Sequence, residues 1–179
     1  MEPGNDRDPS GPSRIGGGMI VAAWLLALAL LTLLFSNMLD RQANPNQQVQ
    51  GQTTSDGARE VRLLRNRSGH YVAEGKINGH TVVFLVDTGA TDVALPQALA
   101  ERLGVQPGPS AWSQTANGWV RTHSTRLASV ELGGIKMHNV RASILPKMDS
   151  NQVLLGMSFL RHLELEQSGD TLVLRSHSR

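Results

Sequence analysis

Residues 82–92 read Val-Val-Phe-Leu-Val-Asp-Thr-Gly-Ala-Thr-Asp, an apolar run that ends in Asp87, Thr88 and Gly89. A carboxylate placed directly behind five apolar residues sits at the rim of a core, where its ionisation is costly and easily tuned. That suits a general acid or base. Thr88 adds a hydroxyl that can donate or accept a hydrogen bond. Gly89, lacking a side chain, lets the backbone turn sharply and bring its N–H close to the Asp87 carboxylate. Taken alone, the three residues fit equally well a strand-to-loop turn in which the aspartate caps its own backbone.

Other chemistries find little footing. The chain has no cysteine, which excludes disulfides, thiolate metal sites and cysteine nucleophiles. Its six histidines (70, 80, 123, 138, 162 and 177) show neither His-x-His nor His-Glu-x-x-His spacing, so no metal or other cofactor is expected. No serine lies in a Gly-x-Ser-x-Gly elbow. The net charge is +2, and the 17 Lys and Arg are scattered, which gives no footprint for nucleic acid.

The elements that must position Asp87 are mostly strands. Segments 60–66 and 70–77 flank a turn at Arg67, Ser68 and Gly69, and Asn78-Gly79 is a strong hairpin signal leading into a strand over 80–86. Residues 82–86 are apolar without alternation, which predicts burial on both faces. A short helix follows, with Pro96 near its start and Gly104 just past its end. Asn117-Gly118 marks another turn, and segments 121–132 and 135–145 alternate around Gly133-Gly134. Residues 153–156 (Val-Leu-Leu-Gly) repeat the pattern of an apolar run stopped by glycine, and a last hairpin joins 163–166 to 171–174. Many short strands, glycine-rich turns and one or two short helices predict an all-β domain, closed or sandwiched. Trp112 and Trp119 bracket the Asn117-Gly118 turn; packing into the core is the expected role, and contact with a substrate is the alternative.

In order and spacing, residues 84–92 (Phe-Leu-Val-Asp-Thr-Gly-Ala-Thr-Asp), 115–118 (Thr-Ala-Asn-Gly) and 154–160 (Leu-Leu-Gly-Met-Ser-Phe-Leu) resemble a single-domain aspartic protease of the retropepsin type, above all the bacterial, membrane-anchored members. The resemblance covers about 61–174 and implies a small closed acid-protease β domain. It implies peptide-bond hydrolysis by two carboxylates sharing a proton, one acting as base on a water and the other donating to the scissile carbonyl. The chain has a single Asp-Thr-Gly, so the resemblance implies a homodimer with Asp87 and its symmetry mate as the dyad. It further implies that Thr88 bonds across the two-fold axis and that Gly89 approaches the peptide substrate. Ala90, Thr91 and Asp92 would line the groove, and Ala116, Asn117 and Gly118 would tip a flap over it. Leu154, Leu155 and Gly156 would support the catalytic loop. Retroviral members pair an Asp and an Arg where this chain has Thr91 and Met157; both partners are replaced here, so no charge is stranded. Without the resemblance, Asn117-Gly118 is an ordinary hairpin turn and Asp92 a solvated carboxylate.

Ahead of the domain, residues 1–18 are rich in Gly, Pro, Asp and Arg and are expected to be disordered. Residues 19–38 are apolar, and no charge falls between Arg14 and Asp40, a length sufficient for a single membrane span. A buried core helix would need a polar face, and a cleaved signal peptide a small-x-small site; neither is present. Arg7 and Arg14 precede the span and Arg41 follows it, favouring a cytoplasmic N-terminus. The expected arrangement is single-pass in a bacterial inner membrane, a flexible linker over 39–58, and a protease domain over 59–179 on the periplasmic side. Two alternatives remain open: a catalytically silent peptide-binding or dimerisation module of the same fold, and a structural element of an envelope complex.

Overall fold

The computed structural model describes residues 14–115 and 118–176. The chain divides into two compact units, one ending at Leu39 and one beginning at Asp40. The first carries most of helix α1 (Arg14–Ala43), whose large apolar side chains over 19–35 are all exposed. It is the one helix among the described residues long and apolar enough to cross a membrane.

The second unit is built from eleven strands: β1 (Gly51–Thr53), β2 (Arg59–Leu64), β3 (Val72–Ile77), β4 (His80–Val86), β5 (Val93–Pro96), β6 (Ser110–Thr115), β7 (Gly118–Leu132), β8 (Ile135–Leu145), β9 (Gln152–Leu155), β10 (Leu163–Ser168) and β11 (Thr171–Ser176). Two short helices, α2 (Gln97–Arg102) and α3 (Met157–Leu160), complete it. One sheet runs β3-β4-β9-β5-β8-β7-β6, and a further pairing of β3 with β7 (Lys76 with Glu131, Ile77 with Val130) closes it on itself. Closure leaves β6 as the outer arm of the β6–β7 hairpin and gives the barrel one interior. Phe84, Leu95, Leu127, Val130, Val153 and Leu155 fill that interior with no exposure to solvent. Each such side chain stabilises the fold by roughly 1.5–3 kcal/mol on burial. This is the closed β domain expected from the resemblance.

The two apolar runs noted in the sequence lie side by side. β4 and β9 pair in parallel, Phe84 against Val153 and Val86 against Leu155, so the turns that follow them emerge at the same end of the sheet. Asn78 and Gly79 both take positive φ (51° and 84°), the backbone a two-residue hairpin needs to follow strand twist. Pro96 and Gly104 bracket α2 as expected, Gly104 at φ 64°.

Four expectations need correction. In β4 only Val82 and Phe84 are buried, while Val83, Leu85 and Val86 are half-buried. A closed barrel has a single inside, and within this chain the outer face of β4 is only partly covered. Secondly, the segment expected to be a flexible linker over 39–58 is docked. Asn46, 8 % exposed, donates from Nδ2 to Leu64 O (2.8 Å) and Val72 O (2.7 Å), while its Oδ1 accepts from Leu64 N–H (2.8 Å). One amide side chain thereby completes the backbone pairing of two strands. β1 then pairs with β2, and a Cβ on Gly51 would fall 1.7 Å from Gly133 O, so only glycine lets this strand lie on the β7–β8 turn. Thirdly, the last strand, near 171–174, is expected from the sequence to pair between subunits as a sheet edge, yet β11 lies between β2 and β10 in a second sheet, β1-β2-β11-β10, so the outer strands among the described residues are β1 and β10. Fourthly, Trp112 and Trp119 are exposed (68 % and 66 %), not core. They share one face of the β6–β7 hairpin, where Trp112 opposes Arg121 and Gln114 opposes Trp119.

Candidate active site

Asp87 is the first residue past β4, and the loop it opens is held from several sides. Its N–H donates to Leu155 O on β9 (3.2 Å), and Ala90 N–H donates back to Asp87 O (3.2 Å). Gly89 N–H donates to Asp87 Oδ1 (2.9 Å), the turn expected from the residue types. A Cβ on Gly89 would sit 3.2 Å from that oxygen, tight enough to disturb the carboxylate. This bond orients one carboxylate oxygen and is common to the bland and the catalytic readings of the tripeptide.

The segment 156–158 grips the same loop from below. Met157 N–H donates to Ala90 O (2.8 Å) and Ser158 N–H to Thr91 O (2.9 Å). A Cβ on Gly156 would fall 2.3 Å from Asp92 O and 2.6 Å from Ala90 O, so glycine is required by close approach, not by an unusual φ (−90°). Buried Ser158 joins three elements: its Oγ accepts from Val93 N–H (3.0 Å) and donates to Arg141 O (2.8 Å). Nothing in the sequence singled out Ser158; its role depends on long-range contacts.

The loop borders a cleft of about 1130 Å³, which Asp87, Gly89, Ala90, Thr91 and Asp92 all line. Thr88 is exposed on the turn and outside the lining. Gly118 opens β7 opposite Thr115 at φ 99° and is likewise outside the lining. Ala116 and Asn117, expected at a flap tip, lie outside the described residues. The β6–β7 hairpin supplies one wall through Ser113, Gln114, Trp119, Val120, Arg121 and Thr122, and the chain after β8 supplies another through Pro146, Lys147 and Met148. The resemblance implies a hairpin over the groove, whereas the wall from 146–148 went unnoticed in the sequence, because only the closure of the barrel brings it to Asp87.

Asp87 and Asp92 are the only carboxylates among the described residues that line the cleft, and their surroundings differ. Asp92 Oδ1 lies 3.4 Å from Arg141 Nε on β8, within ion-pair range. The two are misaligned for a hydrogen bond, and the buried oxygen has no other partner among the described residues. The contact is therefore Coulombic, and it answers the Asp92 charge. Asp87 has no cation within ion-pair distance among the described residues. Thr91 is exposed and Met157 packs against the core. No group of three or more His, Asp or Glu side chains converges as a metal-ligand set among the described residues.

Comparison with known proteins places this geometry among relatives. The family model described as "gag-polyprotein putative aspartyl protease" matches residues 73–162. An uncharacterized protein from the cobV 5′ region of a Sinorhizobium species is 31% identical over 175 residues, which cover 90% of this chain and 75% of that protein. An uncharacterized protein of Rickettsia prowazekii is 31% identical over 109 residues, 59% of this chain and only 46% of its own length. Among solved structures, a retropepsin-like aspartic protease from Rickettsia conorii matches with TM-score 0.55 and 27% identity, over 72% of this chain and 94% of that one.

Proposed function

The chain belongs to this aspartyl protease family, among its bacterial retropepsin-like members, and on that premise we propose that it is a membrane-tethered aspartic endopeptidase whose active site joins Asp87 from each subunit of a homodimer. The carrying observation is the pinned Asp87 loop at the cleft, where Asp87 is the one lining carboxylate among the described residues that faces no cation. Asp92, the other cleft carboxylate, faces Arg141 and is poorly placed to share a proton. A second Asp87 supplies the missing group.

In this reading one carboxylate of the pair takes a proton from a water while the other, protonated, donates to the scissile carbonyl oxygen. Water oxygen bonds to the carbonyl carbon, and the tetrahedral species collapses as the leaving nitrogen takes up the proton. Thr88, exposed on the turn, holds the paired loops across the two-fold axis. Gly89, Ala90, Thr91 and Asp92 receive the peptide along the cleft. The β6–β7 hairpin, with Ala116, Asn117 and Gly118 at its end, closes over it and excludes bulk water.

For the dimer contact, β10 is, with β1, an outer strand of the second sheet among the described residues, and a sheet edge invites another strand. In this reading helix α1 serves as the anchor, and the charge asymmetry of Arg7 and Arg14 against Arg41 favours a protease on the periplasmic side of an inner membrane. The protease domain includes the docked segment from Asn46 onward as well as 59–179.

Cleavage of an unfolded protein by the full chain in neutral detergent, beside Asp87→Asn and with both sized for dimer content, tests the proposal. The expected result is a dimer that cuts and a variant slowed by at least about 10³-fold, within the range general acid–base groups contribute. A well-folded dimer that binds peptide without cutting it would sink the endopeptidase and leave the silent binding module.

A further inference from the structure

Away from the cleft, the outer side of the β7–β8 hairpin and the end of α3 enclose a second concavity of about 770 Å³. Its lining brings together Arg126 from β7, Lys136, His138 and Arg141 from β8, and Arg161 and His162 from the residues after α3. Among the described residues no Asp or Glu lines it. In a chain with 17 basic and 15 acidic residues, four Lys or Arg and two His around one hollow is a strong local excess.

Two of these cations have nothing to neutralise them among the described residues. Arg126 reaches only Asn139, donating from one guanidinium nitrogen to its O (3.3 Å) and Oδ1 (3.4 Å), long contacts to neutral acceptors. Arg161 donates from Nε to His162 Nε2 at 3.5 Å, a contact at the limit of hydrogen-bond range to an acceptor that carries no negative charge. Lys136 lies 3.9 Å from Glu131, an exposed and weak pairing. Clustered cations repel one another, and the arrangement becomes favourable when an anion enters it. Guanidinium groups arriving from two elements offer forked donors that suit tetrahedral phosphate oxygens, and phosphate carries enough charge to answer both. Met137 and Val140 add an apolar patch beside the cations, suited to the organic part of a phosphoester.

We propose that this hollow is a binding site for a phosphate-bearing ligand, either a soluble phosphoester or the headgroup of an anionic phospholipid, held chiefly by Arg126 and Arg161. It stands apart from the endopeptidase reading, because neither arginine lines the cleft. Arg141 nonetheless belongs to both neighbourhoods, lining the hollow and facing Asp92.

The test is calorimetric titration of the full chain in neutral-detergent micelles with glycerol phosphate, and in parallel with mixed micelles containing phosphatidylglycerol. Saturable binding is expected from at least one probe, weakened tenfold or more in the double variant Arg126→Gln, Arg161→Gln. It should be unchanged in Arg62→Gln, which removes an exposed arginine paired with Glu60 elsewhere. Binding of glycerol phosphate would support a soluble ligand, and binding of the lipid alone would support a headgroup. Protection of Arg126 and Arg161 from phenylglyoxal by the bound probe reads the same site without a variant. Failure of both probes to bind, or equal affinity in the double variant, would overturn the proposal. Binding of a polyglutamate peptide in place of both probes would overturn it in favour of an acidic-peptide site.

Discussion

At Gly156 a hydrogen atom is all the structure admits, since two carbonyl oxygens of the Asp87 loop approach where a methyl group would stand. Gly156→Ala must push that loop outward and strain the bonds from Met157 and Ser158, a cost of about 1–3 kcal/mol for overpacking. Thermal unfolding should register the loss, and cleavage should fall further than stability alone explains. Tyr71 makes the opposite case. Its hydroxyl is buried with no hydrogen-bond partner among the described residues, and an unsatisfied buried polar group costs about 1–3 kcal/mol. Tyr71→Phe should therefore leave the midpoint of denaturation unchanged or raise it; a clear drop would reveal a partner for the hydroxyl. The chemistry of Asp87, Thr88 and Gly89 was legible because it is local: a carboxylate, an apolar run and a glycine within a few residues. The Asp92–Arg141 contact and the clamp by Ser158 were not, because their partners are distant in sequence and meet only through β5, β8 and α3.

At the scale of elements, Asn46 shows how composition misleads. A stretch rich in Gln and Asn reads as a solvated tether, yet the same amides can pair with bare strand edges. Asn46→Ala would leave Leu64 and Val72 backbone groups without those bonds and should destabilise the domain by about 2–3 kcal/mol, read as a lower unfolding temperature. Loss of β1 protection in hydrogen exchange would accompany it. The hairpins, α2 and the two apolar runs were legible from turn residues and hydrophobic spacing. Which strands lie at sheet edges was not, since edges follow from the order of pairing. Of the two outer strands, β1 and β10, the proposed dimer would use the longer, β10, with Leu165 exposed at 38 % near its middle. The chain has no cysteine, so single cysteines introduced along 163–168 should cross-link to their mates under oxidation, most strongly at one position near the two-fold axis. Uniform absence of cross-links in a sized dimer would move the interface elsewhere.

For the molecule as a whole, the parallel pairing of β4 (His80–Val86) with β9 (Gln152–Leu155) brings together segments far apart in the sequence of the domain. Pairings this distant in sequence close large loops and form late in folding. During synthesis, Asp87 leaves the ribosome well before residues 152–160 exist. Until they arrive, its N–H lacks Leu155 O, and the carbonyls of Ala90 and Thr91 lack the two donors that fix the loop. A nascent chain can thus carry every residue of the proposed active site and still have no active site. On the proposed reading, cleavage by the site waits until residues 152–160 have been made, a delay written into strand order.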